Sequence, residues 1–356
     1  MKLVFVTQTL DPAHPALAQA VDLARALAER VEELAVVARD VEWALPANAS
    51  ALTFEAPSRP ARVAAFERAV LRATKGADAA LVHMVPQFAL LAAPVARTRH
   101  VPLLLWYTHW HASRALRYAT RVVDLALSVD AASYPVATPK LHAIGHAIDV
   151  AAFDAPPVGD SGGPLRLLAL GRTARWKGLA TLLDALEQTT ADLRLEIRGP
   201  SLTPDEEAHR TELAARADGE RVRLMPAAPR CEIPALLARA DAVVSPNEPR
   251  AGATLDKAVF EAAACRRPVV STNPAFAGLL DGLPLELLAR PRDPQALAAR
   301  LDGLAAAPHA VRVAAGEELR RRVVAGHSLD HWADAVCGLA REVRSRRATA
   351  GSRRAG

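Results

Sequence analysis

The sequence predicts an α/β protein made of two doubly wound, Rossmann-like domains. Three observations carry this. Short apolar runs alternate with longer amphipathic ones from the first residues onward. The alternation halts at residues 154–164, DAPPVGDSGGP, and then starts afresh. A chain of 356 residues also exceeds what one ordinary core organises. Strand and helix patterns in alternation build parallel sheets covered by helices.

In the first half, residues 3–7, 33–37, 79–83, 103–107 and 125–129 are short apolar runs and read as buried strands. Residues 15–30 and 61–75 carry the longer helical pattern between them. The proline and glycine of 154–164 mark a linker. Strand-like runs resume at 165–170, 193–197, 221–225, 242–245 and 268–271. Near the end, Leu329, Trp332, Val336 and Leu339 are spaced to share one face of a helix over 327–343. The expected division is therefore a first domain over 1–153, a linker over 154–164, a second domain over 165–326, a late helix over 327–343 and a basic tail over 344–356.

Composition narrows the function classes. Apolar residues make up 51% and charged residues 23%, as in soluble globular proteins. No run approaches the roughly 18 apolar residues of a membrane-spanning helix. The opening MKLVFVTQTLDP turns polar too soon for a signal peptide and reads as a first strand. Cys231, Cys265 and Cys337 have no metal-ligand spacing, and reduced thiols point to the cytoplasm. Much of the formal charge of +5 lies in the tail REVRSRRATAGSRRAG, which reads as a solvated, disordered segment. Contact with an anionic membrane inner face is the second reading of that tail. Nucleic-acid binding is not indicated, because aromatic residues are only 4% and do not alternate with the basic ones.

Two segments carry candidate chemistry. After the strand at 165–170, Gly171 allows a sharp turn, and Arg172, Arg175 and Lys177 precede a helix beginning near Gly178. Cations over a helix N-terminus suit a diphosphate; solvated loop cations are the equal alternative. Neither a P-loop nor a GxGxxG pattern is present. The second segment is SPNEPRAGATLDKAVFEAAACRRPVVST, residues 245–272: a strand end, a turn-rich loop and a helix with Lys257 and Glu261. A loop feeding a helix N-terminus at a strand end is a place to hold an anion, and a carboxylate one turn inside reaches a sugar hydroxyl. An ordinary i, i+4 pair of Lys257 with Glu261 is the competing reading. His109 follows the strand at 103–107, with His111 as its neighbour and competitor, and His146 reads as a buttress before the linker. Asp11, in the first loop, is a candidate for binding a ligand hydroxyl or simply faces water.

These motifs, in this order, resemble the retaining glycosyltransferases of family 4 (glycosyl transferases group 1), which have the two-domain GT-B fold with a central cleft. The resemblance rests on GRTARWKG, RLEIRGP, VRLMPAAPRCEIPALLARADAVVSPNE and the 245–272 segment, together with KLVFVTQTLDPAHP, LLLWYTHW and KLHAIGHAID in the first half. It implies that Arg172 and Lys177 hold the donor diphosphate and that Glu261 binds the ribose. It implies too that Gly252, Ala253 and Thr254 offer backbone N–H groups, that Lys257 touches phosphate or sugar, and that Arg230 lies near the nucleoside. His109 would face acceptor and donor sugar as a catalytic group. The linker and the late helix resemble the two crossings between GT-B domains. The sequence departs from the family at Ala253, where many members carry the first of two glutamates. Glu248, thirteen residues before Glu261, is no direct substitute.

The implied activity is transfer of a sugar from a nucleotide diphosphate sugar to a hydroxyl of a glycan, lipid or small molecule, with retention of configuration. No cofactor beyond that donor is expected, and the lack of an Asp-x-Asp motif in the second domain implies metal independence. A nucleotide-sugar epimerase on the same scaffold and a noncatalytic nucleotide-sugar binder, the latter suggested by Ala253, remain as alternatives.

Overall fold

The computed structural model describes residues 1–14, 17–109, 111–157, 159–160, 162–249 and 255–355, with backbone alone for 350–355. It divides into two compact units, residues 1–147 with 326–356, and residues 148–325.

The first unit begins with β1 (Lys2–Val6), β2 (Thr9–Leu10), α1 (Gln19–Ala28), β3 (Glu33–Ala38), β4 (Asp40–Val41), β5 (Ala49–Thr53) and α2 (Arg59–Ala73). It continues through β6 (Ala79–His83), α3 (Pro86–Thr98), β7 (Leu103–Trp106), α4 (Arg114–Val122), β8 (Leu125–Ser128) and β9 (Leu141–Ala143). Seven of these strands form a parallel sheet in the order β5-β3-β1-β6-β7-β8-β9, while β2 and β4 pair separately. Leu3 to Val6 and Leu103 to Leu105 are almost fully buried, as expected of strands covered on both faces. Phe66 stacks on Phe88 at 5.1 Å, and Phe54 meets both edge-on at 5.2 and 5.4 Å, closing one side of the core.

The second unit runs through β10 (Leu165–Leu170), α5 (Leu179–Gln188), β11 (Leu193–Arg198), α6 (Pro204–Ala214), β12 (Val222–Met225), α7 (Ile233–Arg239) and β13 (Ala242–Ser245). It then adds α8 (Lys257–Ala264), β14 (Val269–Ser271), α9 (Ala277–Leu280), α10 (Pro294–Ala306) and α11 (His309–His327). Its five strands are parallel in the order β12-β11-β10-β13-β14. The chain winds outward from β10 to β12, then crosses to β13 on the other side. The strand order therefore reverses between β10 and β13, and an open sheet forms its binding crevice at the carboxyl ends beside such a point.

The predicted fold class is what the structure shows. Its boundaries differ in two places. Residues 148–157, partly read as linker, belong to the second unit because its arginines hold their carbonyls: Arg320 binds those of Val150 and Phe153 at 3.3 Å, Arg266 that of Ala155 at 2.7 Å and Arg267 that of Pro156 at 2.9 Å. The last helix, α12 (Leu329–Ala355), also continues through the segment 344–355 that was expected to be disordered. Alanine and arginine favour helix; Arg346 pairs with Glu342 one turn back, and Arg344 and Arg347 reach Asp78 and Asp124. Trp332 and Val336 are fully buried on the predicted apolar face, Leu329 nearly so, and Leu339 half-buried. Arg30 grips Asp330 and Asp334, each at 2.6 Å.

Candidate functional site

The candidate site lies at the carboxyl edge of the second sheet, where the loops after β10 and β13 meet beside the reversal of strand order. Gly171 ends β10 with φ 146°, a conformation open to glycine. A Cβ there would come within 3.3 Å of the Lys177 Nζ, so the missing side chain leaves the space the ammonium fills. The neighbouring strand end is equally close: a Cβ on Gly199 would lie 1.6 Å from the Gly171 carbonyl oxygen. Gly178 then takes the left-handed conformation between a short 3₁₀ turn (Arg175–Lys177) and α5. Its Cβ would meet the Pro246 carbonyl oxygen at 1.9 Å, so the loops after β10 and β13 touch through backbone. The Glu248 N–H, donating to the Trp176 carbonyl at 2.8 Å, ties them further.

Each cation of the first loop has a carboxylate of its own. The Arg172 guanidinium binds Glu206 on α6 through two hydrogen bonds, from Nη2 to Oε1 and from Nε to Oε2 at 3.3 Å. Burial alone would raise the Glu206 carboxyl, but Arg172 and the Leu202 N–H, 2.7 Å away, hold it below the usual glutamate range. Lys177 is 8% exposed; its Nζ donates to Asp256 Oδ2 at 2.6 Å and lies 4.7 Å from the Trp176 ring centroid. Asp256 caps α8 and also accepts from Asn247 at 2.9 Å. Burial pushes its carboxyl up, but Lys177, followed by Asn247 and the Ala258 N–H, outweighs this and keeps it below the usual aspartate range. Arg175 faces away in a two-bond pair with Glu212 at 2.6 and 2.9 Å.

One turn into α8, Glu261 is 6% exposed. Arg230, from the turn before α7, and Lys257 approach the same oxygen, Oε1, at 3.2 and 3.3 Å. The i, i+4 pair with Lys257 therefore exists, but inside a three-membered cluster and not on a solvated helix face. The structure thus brings Arg230, Lys257 and Glu261 together, and joins Gly171 to Lys177. Gly252, Ala253 and Thr254 lie outside the described residues. Glu248 is engaged by Arg292, with both hydrogen bonds, at 2.8 and 2.6 Å, on Oε2.

Glu206, Asp256 and Asn247 were not singled out from sequence. Two of them had legible signals of another kind: Thr203-Pro-Asp-Glu206 has capping-box spacing, and Asp256 stands directly before an apolar helix pattern. Both do begin helices, Thr203 accepting from the Glu206 N–H at 3.3 Å.

In the first unit, His109 lies three residues beyond β7. Its backbone N–H donates to the Ser133 carbonyl and its Nδ1 accepts from the His111 N–H, both at 3.1 Å. Burial, with His111 adding, lowers its pKa. Asp11 accepts from the Ala13 N–H at 2.8 Å in a local turn. His146 is 9% exposed, with its ring centroid 6.4 Å from that of His327.

Fold and site define a two-unit α/β protein of the GT-B type, with a cation-rich site at the switch point of its second sheet. Residues 164–307 match the family model described as glycosyl transferases group 1, a span within the second unit. Among solved structures, a glycosyltransferase from Rickettsia africae is similar at TM-score 0.76 and 13% identity, covering 96% of this chain and 98% of that one. Sucrose-phosphate synthase from Thermosynechococcus elongatus is similar at 0.73 and 17%, over 97% and 99%. HepE of Anabaena, in complex with UDP and glucose, is similar at 0.72 and 18%, over 95% and 99%. No curated protein matches the sequence.

Proposed function

We propose that the protein transfers a sugar from a nucleotide diphosphate sugar to a hydroxyl acceptor, with retention of configuration. The observation that supports this most is the arrangement at the switch point. Four cations, Arg172, Lys177, Arg230 and Lys257, stand with three carboxylates at the carboxyl edge of a parallel sheet, in the unit that matches the group 1 glycosyltransferase model. The similarity to HepE, seen in complex with UDP-glucose, supports a nucleotide-sugar donor.

In this reading the diphosphate lies over the loop after β10. Arg172 and Lys177, held in place by Glu206 and Asp256, meet charge that grows on the departing phosphate, and charge fixed in advance costs no reorganisation at the moment of reaction. The developing charge is answered by these two side chains and the N-terminus of α5, with no metal required. Glu261 accepts from the ribose hydroxyls, while Arg230 and Lys257, both in contact with its Oε1, orient it. The leaving phosphate takes the acceptor proton on the face it departs from, which retains configuration without a protein base. His109 and Asp11 serve the acceptor from the first unit. The acceptor is a glycan, lipid or small molecule, and the setting is the cytoplasm, with a basic last helix able to lie against an anionic membrane face.

Proton NMR of a donor and acceptor mixture tests this. The expected result is a product with the anomeric configuration of the donor sugar. An inverted product, or interconversion of the nucleotide sugar without transfer, overturns the reading.

A further inference from the structure

Toward the amino ends of its strands, away from the candidate site, the second unit has a cavity of about 590 Å³ built wholly from its own residues. A right-handed crossover puts α5 and α6 on one face of the sheet and α7, which returns from β12 to β13, on the other. With 7 residues, α7 is only about 10 Å long and leaves part of that face open. Arginine and glutamate therefore alternate with apolar residues in β11 (LRLEIR), and β12 (VRLM) places Arg223 on the same open face.

The lining gathers like charge. Arg166, the second residue of β10, stands in register with Arg194 on β11, and Arg223 follows on β12 in register with Glu196. Arg239 joins them from the end of α7. Like charges on neighbouring strands repel. Arg166 is answered by Asp241, with hydrogen bonds of 2.8 and 3.0 Å. Glu196 is taken by Arg198 and not by Arg223. Arg194, Arg223 and Arg239 are exposed and make no hydrogen bond or ion pair among the described residues. Glu220, a lining carboxylate just before β12, is likewise without a side-chain partner among them.

The contrast with the candidate site is chemical. There Arg172 and Lys177 each hold a carboxylate of the protein. Here three guanidiniums, from β11, β12 and α7, stand uncompensated around a floor to which the buried Leu168 and Leu236 contribute. A guanidinium presents a planar fork that binds phosphate through paired hydrogen bonds. The volume lies in the range of small-molecule sites and exceeds what one phosphate fills.

We infer that this cavity binds a soluble small molecule carrying more than one phosphate group, at a site separate from that of the sugar donor. Two phosphate monoesters, at about −1.5 to −2 each, answer the three free guanidiniums even with Glu220 nearby. The ligand relieves repulsion that the folded chain otherwise carries, so it stabilises the fold as it binds. The inference does not depend on the proposed transfer activity.

Calorimetric titration of the full chain with tripolyphosphate at low ionic strength tests the inference, with orthophosphate as the single-anion control. Tripolyphosphate is expected to bind about tenfold or more tightly than orthophosphate. The Arg194→Gln/Arg223→Gln double variant should lose about tenfold or more of that affinity with an unchanged melting temperature of the free protein. Arg172→Ala should leave the affinity as it is. Phenylglyoxal modification read by peptide mass spectrometry locates the anion, and tripolyphosphate should protect Arg194, Arg223 and Arg239. Undiminished binding by the double variant, binding lost in Arg172→Ala, equal affinity for orthophosphate, or no protection of these arginines overturns the inference. Phosphatidylglycerol vesicles supply the second source of phosphate: sedimentation of the protein with them through the same arginines, without tripolyphosphate binding, also overturns the soluble ligand.

Discussion

The Lys177 ammonium lies 2.6 Å from the carboxylate of Asp256, so the cation of the loop after β10 is fixed by the residue that caps the helix after β13. Two loops that are far apart in sequence become one object. Any ligand at Lys177 therefore senses the position of α8.

Breaking this buried pair from one side should be costly. Lys177→Met leaves Asp256 without its cation and should lower stability by about 3–5 kcal/mol, read by urea denaturation. Lys177→Met/Asp256→Leu should recover at least half of that loss, since neither charge is then left alone, yet should not recover nucleotide binding. The Asp256 carboxyl is held low in the folded state, so the pair's contribution is present above pH about 4 and is lost as pH falls below it. Equal stability of wild type and Lys177→Met at pH 7 would show that the pair contributes nothing.

Glu206 should act on turnover through Arg172. Glu206→Gln retains an acceptor for the Leu202 N–H but releases one of the two bonds to Arg172. The expected result is a fall of about 10- to 100-fold in kcat, with a smaller change in donor KM. A variant that loses stability in proportion to its activity would make Glu206 a purely structural residue.

Much of the fold was legible because the central strands are either continuous apolar runs, as in β1, β7 and β13, or alternate apolar with charged residues, as in β11 (LRLEIR). The five strands of the second sheet lie within about one residue of their sequence-based bounds. By contrast β5 (ASALT) is a half-exposed edge strand, and β9 has three residues with none buried, so neither shows an apolar run. The tail was misread because arginine-rich composition was taken for disorder, although arginine and alanine also favour helix and Asp78 and Asp124 supply partners. In the site, Arg172, Lys177 and Glu261 could be found from local motifs. Glu206 and Asp256 could not be tied to them, because the partners are 34 and 79 residues away and only the sheet order brings them together.

Two histidines of the first unit, the buried His83 and the half-buried His327, should make the fold sensitive to mild acid. Burial lowers His83 to about 4, and burial with His331 lowers His327 to about 4. The unfolded chain takes up these protons near pH 6.5, the folded chain only near 4, so stability falls as pH drops through that interval and then levels. Each histidine should cost about 2 kcal/mol between pH 7 and pH 5. Urea denaturation at the two pH values should show His83→Gln reducing the difference by about half; an unchanged difference would remove His83 from the account.

The last helix should divide functionally near Arg344. Truncation after Arg344 removes only exposed pairs and should change the melting temperature little. Truncation before Ser328 removes the buried Trp332 and Val336 and the Arg30 pairs, and should destabilise the first unit severely. Thermal unfolding of the two truncated chains distinguishes them, and identical melting temperatures would contradict the packing of α12.

The central claim is that the switch-point cations hold the diphosphate of a sugar donor. Its most direct test is nucleoside diphosphate release from a panel of nucleotide sugars by the wild type and by Arg172→Ala. Release from at least one donor, reduced about 10²- to 10³-fold in the variant, is the predicted result. Release that survives Arg172→Ala undiminished, or a wild type that releases nothing from any donor across acceptors, would contradict the claim.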